Sequence, residues 1–112
     1  MARSKERLAL LRGTLDLLIL QTLQDGPMHG YAVAARIQEG TGDVLKVEEG
    51  SLYPALHRME RRGWIEADWG HTDARRRARF YRLSAAGRRQ LEDELQRWRR
   101  FSAAVEKVIE PA

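Results

Sequence analysis

The chain has no cysteine among its 112 residues, so neither a disulfide framework nor a thiolate metal site is open to it. Histidine is sparse as well: His29, His57 and His71 lie far apart, and no metal or other cofactor is expected. No apolar run approaches the roughly 18 residues of a membrane span, and the apolar stretch near the N-terminus lacks the small-residue cleavage signal of a secretory peptide. The expectation is a cytoplasmic protein with no membrane partner. Three prolines and nine glycines punctuate short elements without marking a domain linker, and no internal repeat or low-complexity tract occurs. The parts of an enzyme are missing too. No spacing assembles a nucleophile, a base and an orienting group, and neither a glycine-rich phosphate loop nor a pocket motif with paired carboxylates is present.

What is present is positive charge, unevenly placed. Lys and Arg number 20 against 16 Asp and Glu, with a sequence pI of about 10.0. The imbalance sits between His57 and Arg82, where eight arginines face four carboxylates, and the rest of the chain is close to neutral. A local basic excess of this kind suits an anionic partner. The length fits one domain with a modest core.

Glu49 to Ile65 is the most informative stretch. Leu52, Leu56 and Met59 recur at the i, i+4, i+7 spacing of one buried helical stripe, which leaves Ser51, Tyr53, His57, Arg58, Arg61 and Arg62 on other faces. Hydroxyl, phenol, imidazole and guanidinium are group types that meet phosphates and base edges in a DNA groove. The segment is a candidate recognition helix; the alternative is an amphipathic surface helix with solvated arginines. Pro54 has no amide proton, and its ring crowds the carbonyl of Gly50. It must lie near the start, so either the helix begins close to Glu49 with a distorted first turn or its regular part begins at Pro54. Gly63 ends it.

Upstream, a basic tail leads into Leu8, Leu11, Leu15, Leu18, Ile19 and Leu23 at helical spacing, with enough apolar residues on other sides that a second chain could cover one. Asp25-Gly26-Pro27 ends that helix. A short, alanine-rich second helix follows, carrying Tyr31, Ala34, Ala35, Ile37 and Gln38 and stopping at Gly40. Downstream, Trp64 to Trp69 and Arg79 to Leu83 alternate as two strands around a loop that is too long for a tight hairpin and holds Arg75, Arg76 and Arg77. A basic β-ribbon beside a recognition helix is a wing. A solvated loop that merely aids solubility is the alternative for its arginines; Trp64 and Trp69, by their strand alternation, are expected to pack within the wing and not to wall a ligand.

Ser84 is positioned to cap the last helix, and Pro111 lies past its end. Leu91, Leu95, Trp98, Ser102, Val105 and Ile109 are spaced as an a/d seam, which calls for a partner helix. The expected partner is a second copy, with the chain's own core as the alternative. The fold expected is mainly α with a small β-hairpin: a winged helix-turn-helix over residues 1–83, then a long C-terminal dimerisation helix over residues 84–112.

The blocks LLRGTLDLLILQTLQDGPMHGYAVAARI, EEGSLYPALHRMERRGWI and FYRLSAAGRRQL together resemble the PadR family of bacterial transcriptional regulators, in its branch with one short C-terminal helix. The resemblance implies a homodimer that binds a pseudo-palindromic DNA operator, usually represses transcription, and lets go when a small-molecule effector is sensed. It puts Ser51, Tyr53 and Pro54 at the start of the recognition helix and His57, Arg58 and Arg61 on its later face. Arg75, Arg76, Arg77 and Arg79 fall on the wing, and Tyr31 beside the DNA backbone or in the core. The expected dimer interface is Leu8, Leu11, Leu15, Leu91, Leu95, Trp98, Val105 and Ile109. Some smaller relatives hold flat aromatic molecules between tryptophans of this helix, which makes Trp98 a candidate effector contact as well as a candidate interface core residue. The competing function is a winged-helix module that binds protein without a specific operator.

Overall fold

A computed structural model describes residues 13–111. The basic tail, with Leu8 and Leu11 of the expected interface, lies outside them. The first helix, α1 (Thr14–Leu23), follows Gly13 and buries Leu17, Ile19, Leu20 and Leu23. The turn at Asp25-Gly26-Pro27 stops it, with Gly26 at positive φ and its N–H on the carbonyl of Leu23 at 3.1 Å. Next comes an element that periodicity does not reveal. Met28–His29 form a two-residue strand, β1, too short to show any alternation.

Helix α2 (Gly30–Gly40) starts where His29 Nδ1 accepts the N–H of Ala32 at 3.2 Å. Its buried stripe is Gly30, Val33 and Ile37, so Val33 takes the place expected for Ala34 and Ala35, which are only half-buried. Helix α3 (Glu49–Arg61) resolves the question posed by Pro54: the helix begins at Glu49, and both Ser51 and Leu52 donate to the Glu48 carbonyl, at 3.0 and 2.9 Å. Pro54 thus stands in the second turn, past the free N–H groups of the helix start, and the helix forgoes the bond that would have gone to the Gly50 carbonyl. At the other end Gly63 takes φ +76° and donates to Glu60, while Trp64 reaches back to Met59, both at 3.0 Å. These two bonds close a Schellman cap.

The strands run further than expected. β2 (Ile65–His71) and β3 (Arg77–Leu83) pair antiparallel from Ile65↔Leu83 to His71↔Arg77, and β1 adds to the other edge of β3 through Met28↔Tyr81 and His29↔Phe80. The loop is therefore only residues 72–76. Thr72 folds it shut: its N–H donates to Arg76 O at 2.9 Å, its carbonyl accepts from Arg75 at 2.8 Å and its Oγ1 from Arg76 at 3.2 Å. The distal pairs escape a periodicity reading because they extend beyond the core, where nothing apolar marks the inward face.

Helix α4 (Ala85–Ile109) is capped as expected, with Ser84 Oγ accepting from Gly87 N–H at 3.0 Å. Its first turn is seated on the body through Ser84 N–H to Trp64 O at 3.0 Å, and a Cβ at Gly87 would collide with that same carbonyl oxygen. One core joins α1, α2, α3, the sheet and the start of α4, centred on Ile19, Leu20, Val33, Leu52, Leu56, Met59 and Ile65. Among the described residues no helix is long and apolar enough to cross a membrane.

Candidate nucleic-acid interface

Burying Leu52, Ala55, Leu56 and Met59 against the core turns the opposite side of α3 outward. Ser51, Tyr53, Pro54, His57 and Arg61 are all exposed there. Tyr53 is held in place by its neighbour: its ring lies against Gly30 so closely that a Cβ on that glycine would come within 2.9 Å. The absence of a side chain at Gly30 thus lets α2 and α3 converge. Tyr31, at 77% exposure, is on the surface and not in the core, and its ring stacks on His29 at 6.4 Å between centroids.

The wing faces the same space. A groove of about 830 Å³ is walled by Tyr31, Tyr53 and His57 from the helices and by Trp69, Arg76 and Arg77 from the hairpin. Arg75, Arg76 and Arg77 are exposed. Trp69 is 60% exposed, and the Arg77 guanidinium lies over its ring at 4.3 Å, so this tryptophan packs on a cation and not on the core. Among the described residues, Arg61, Arg75, Arg76 and Arg77 make no ion pair, which leaves their charge facing outward.

Two arginines expected on this face are held by carboxylates, although Arg79 also lines the groove. Arg58 Nη2 bonds Asp16 Oδ1 of α1 at 2.6 Å. Arg79 grips Glu60 of α3 with both Nη atoms, at 3.3 and 2.8 Å, and this hydrogen bond raises its pKa against the opposing effect of burial. Neither acid was legible as a functional residue, since a carboxylate's partner 19 or 42 residues away leaves no trace in local spacing. Arg82 is likewise occupied on the outer face of the hairpin, by Glu66 at 3.2 Å and by Asp68.

The expected interface divides into two parts. Leu91 is buried in the chain's own core, with Leu15 and Leu95 partly buried against it. Past Leu95 the seam is bare: Trp98, Val105 and Ile109 are exposed, together with Phe101 and Val108 off the a/d positions. Beside it, a mostly apolar cleft of about 450 Å³ opens between α1 and α4, lined by Thr14, Leu17, Glu94, Arg97, Trp98 and Phe101. Phe101 lies 6.2 Å from Trp98 between ring centroids, a contact that the seam pattern alone does not contain.

Residues 19–93 match the Transcriptional regulator PadR-like family. The chain is 36% identical over 83 residues to a transcriptional regulator of Mycobacterium tuberculosis, covering 74% of each chain. Its fold is similar to that of a transcriptional regulator from Clostridium thermocellum, at TM-score 0.81 and 26% identity, over 88% of this chain and 96% of that one. It is similar also to a PadR-like transcriptional regulator from Bacillus cereus, at TM-score 0.77 and 26% identity, over 92% and 98% of the two chains. The chain belongs to the PadR-like family of transcriptional regulators.

Proposed function

We propose that the chain acts as a homodimeric, operator-binding repressor. Residues 1–83 form the DNA-binding unit and residues 84–112 carry the dimer contact. In this reading α3 enters the major groove with Ser51, Tyr53, Pro54, His57 and Arg61 toward the bases, while Arg75, Arg76 and Arg77 neutralise phosphates and Tyr31 meets the backbone. The observation that carries it is the single groove shared by the outward side of α3 and the arginine tip of the wing. The bare stripe from Trp98 to Ile109 supports a second copy on α4. The α1/α4 cleft, with its paired aromatics and apolar lining, suits a small planar aromatic effector that would release the DNA.

The test is a titration of the protein onto a duplex carrying the inverted repeat nearest its own promoter, at two salt concentrations, beside an unrelated duplex. Preferential binding to the repeat with two chains per site, on half-sites about 34 Å apart and weakening with salt, is the expected result. Equal weak binding to both duplexes would sink the operator reading and move attention to protein partners of α4.

A further inference from the structure

The buried stripe of Leu52, Leu56 and Met59 sets which side of α3 faces outward, and groups that leave the helix in other directions can fix its angle more finely. Two ion pairs leave the C-terminal half of α3 in different directions. Arg58 reaches α1 through Asp16, whose side chain is 13% exposed, while the Arg58 side chain is 39% exposed. Glu60, two residues on, reaches the wing through a two-pronged contact with Arg79. The helix is therefore tied on one side to the scaffold and on the other to the hairpin that shares its groove. Charge-assisted bonds with fixed donor geometry constrain rotation in a way that leucine and methionine do not.

We infer that Asp16 and Glu60 are positioning residues for DNA reading, and that Arg58 and Arg79 act through them instead of contacting phosphate. The assignment rests on the operator-binding reading above and refines it. Asp16 also lies between Thr14 and Leu17, which wall the α1/α4 cleft, so the same helix turn faces both the cleft and the recognition helix.

Charge reversal separates the two roles. If Arg58 touched phosphate, no change on α1 could replace it. If it acts through Asp16, the guanidinium can be moved across the pair. Arg58→Asp should weaken binding to the inverted-repeat duplex about tenfold or more, and adding Asp16→Arg should bring it back to within about threefold of the parent. The salt slope of the double variant should match that of the parent, whereas removing a cation from a phosphate would flatten it by about 0.9. Because an arginine must fit a mostly buried site, the double variant Asp16→Leu with Arg58→Met provides a second form of the test. It removes both charges and with them the brace, so it should bind more weakly than the parent yet retain the parental salt slope. A folded charge swap that fails to recover affinity, or a Leu/Met variant whose salt slope flattens by about 0.9, would overturn the assignment. A parent that binds both duplexes alike would instead overturn the operator reading. Amide exchange in residues 52–62 would then still decide the brace: Asp16→Asn should speed it and the charge swap restore it, and no change in either would refute the role.

Discussion

Helices α3 and α4 are both amphipathic, with apolar residues three and four apart, yet the chain treats them differently. The apolar side of α3 is closed over completely by α1, α2 and the sheet, and its polar side is left to meet a partner. In α4 only about the first three turns are covered; beyond Leu95 the apolar side itself is left open. Periodicity says that a face will be buried without saying by whom. What decides is reach, because α4 continues for several turns past the edge of the body.

The contrast predicts two kinds of failure. Leu56→Ala removes a fully buried side chain from the middle of the core, and its cost should be about 2–5 kcal/mol of stability. That loss should be the same at any protein concentration, as read by denaturant unfolding across a concentration series. Trp98→Ala touches a residue that is 40% exposed in one chain, so it should leave the monomer's fold nearly intact. Its effect should fall on assembly, raising the dimer dissociation constant about tenfold or more in sedimentation equilibrium. A concentration-independent loss at Trp98 equal to that at Leu56 would erase the distinction between the two helices.

The same contrast explains what could be read without a structure. The stripe of Leu52, Leu56 and Met59, the stop at Gly63 and the cap at Ser84 are local patterns, and each is found where spacing places it. The long-range pieces were not legible. β1 exists because Met28 and His29 meet Tyr81 and Phe80 on β3, a pairing with no local signature. Val33 rather than Ala34 faces inward, in one buried stripe with Gly30 and Ile37, and the approach of Tyr53 to Gly30 is likewise a contact that local spacing does not contain. Arg58 and Arg79 belong to charge clusters that read as DNA contacts, and nothing in their spacing shows the distant carboxylates that pair with them.

The wing sharpens the comparison on its polar side. Its tip arginines face the groove as the α4 stripe faces solvent, so removing them should spare both stability and assembly. Arg76→Ala together with Arg77→Ala should flatten the log-log salt dependence of DNA binding by about 0.9 for each phosphate no longer neutralised, with similar weakening on related and unrelated duplexes. An unchanged slope would take the tip arginines off the phosphates. Loosening of Trp69, which loses the cation over its ring, should be visible as a fluorescence change in the free protein.

The smallest effect belongs to Tyr81, which lies inside the body where α4's exposed half has no counterpart. Its ring is buried on β3, and burial pushes its phenol pKa above the ordinary 10.0, with Arg79 pulling the other way. The folded chain thus holds this proton more tightly than the unfolded one. Its contribution is fully present below pH 10.0 and is lost as pH rises past that value, because the unfolded phenol ionises first. Tyr81→Phe removes the group, so the variant's melting temperature should fall less than the parent's just above pH 10.0 and follow it below. If parent and variant decline in parallel, alkaline loss arises elsewhere, and the phenol is as well solvated in the folded chain as in the unfolded one.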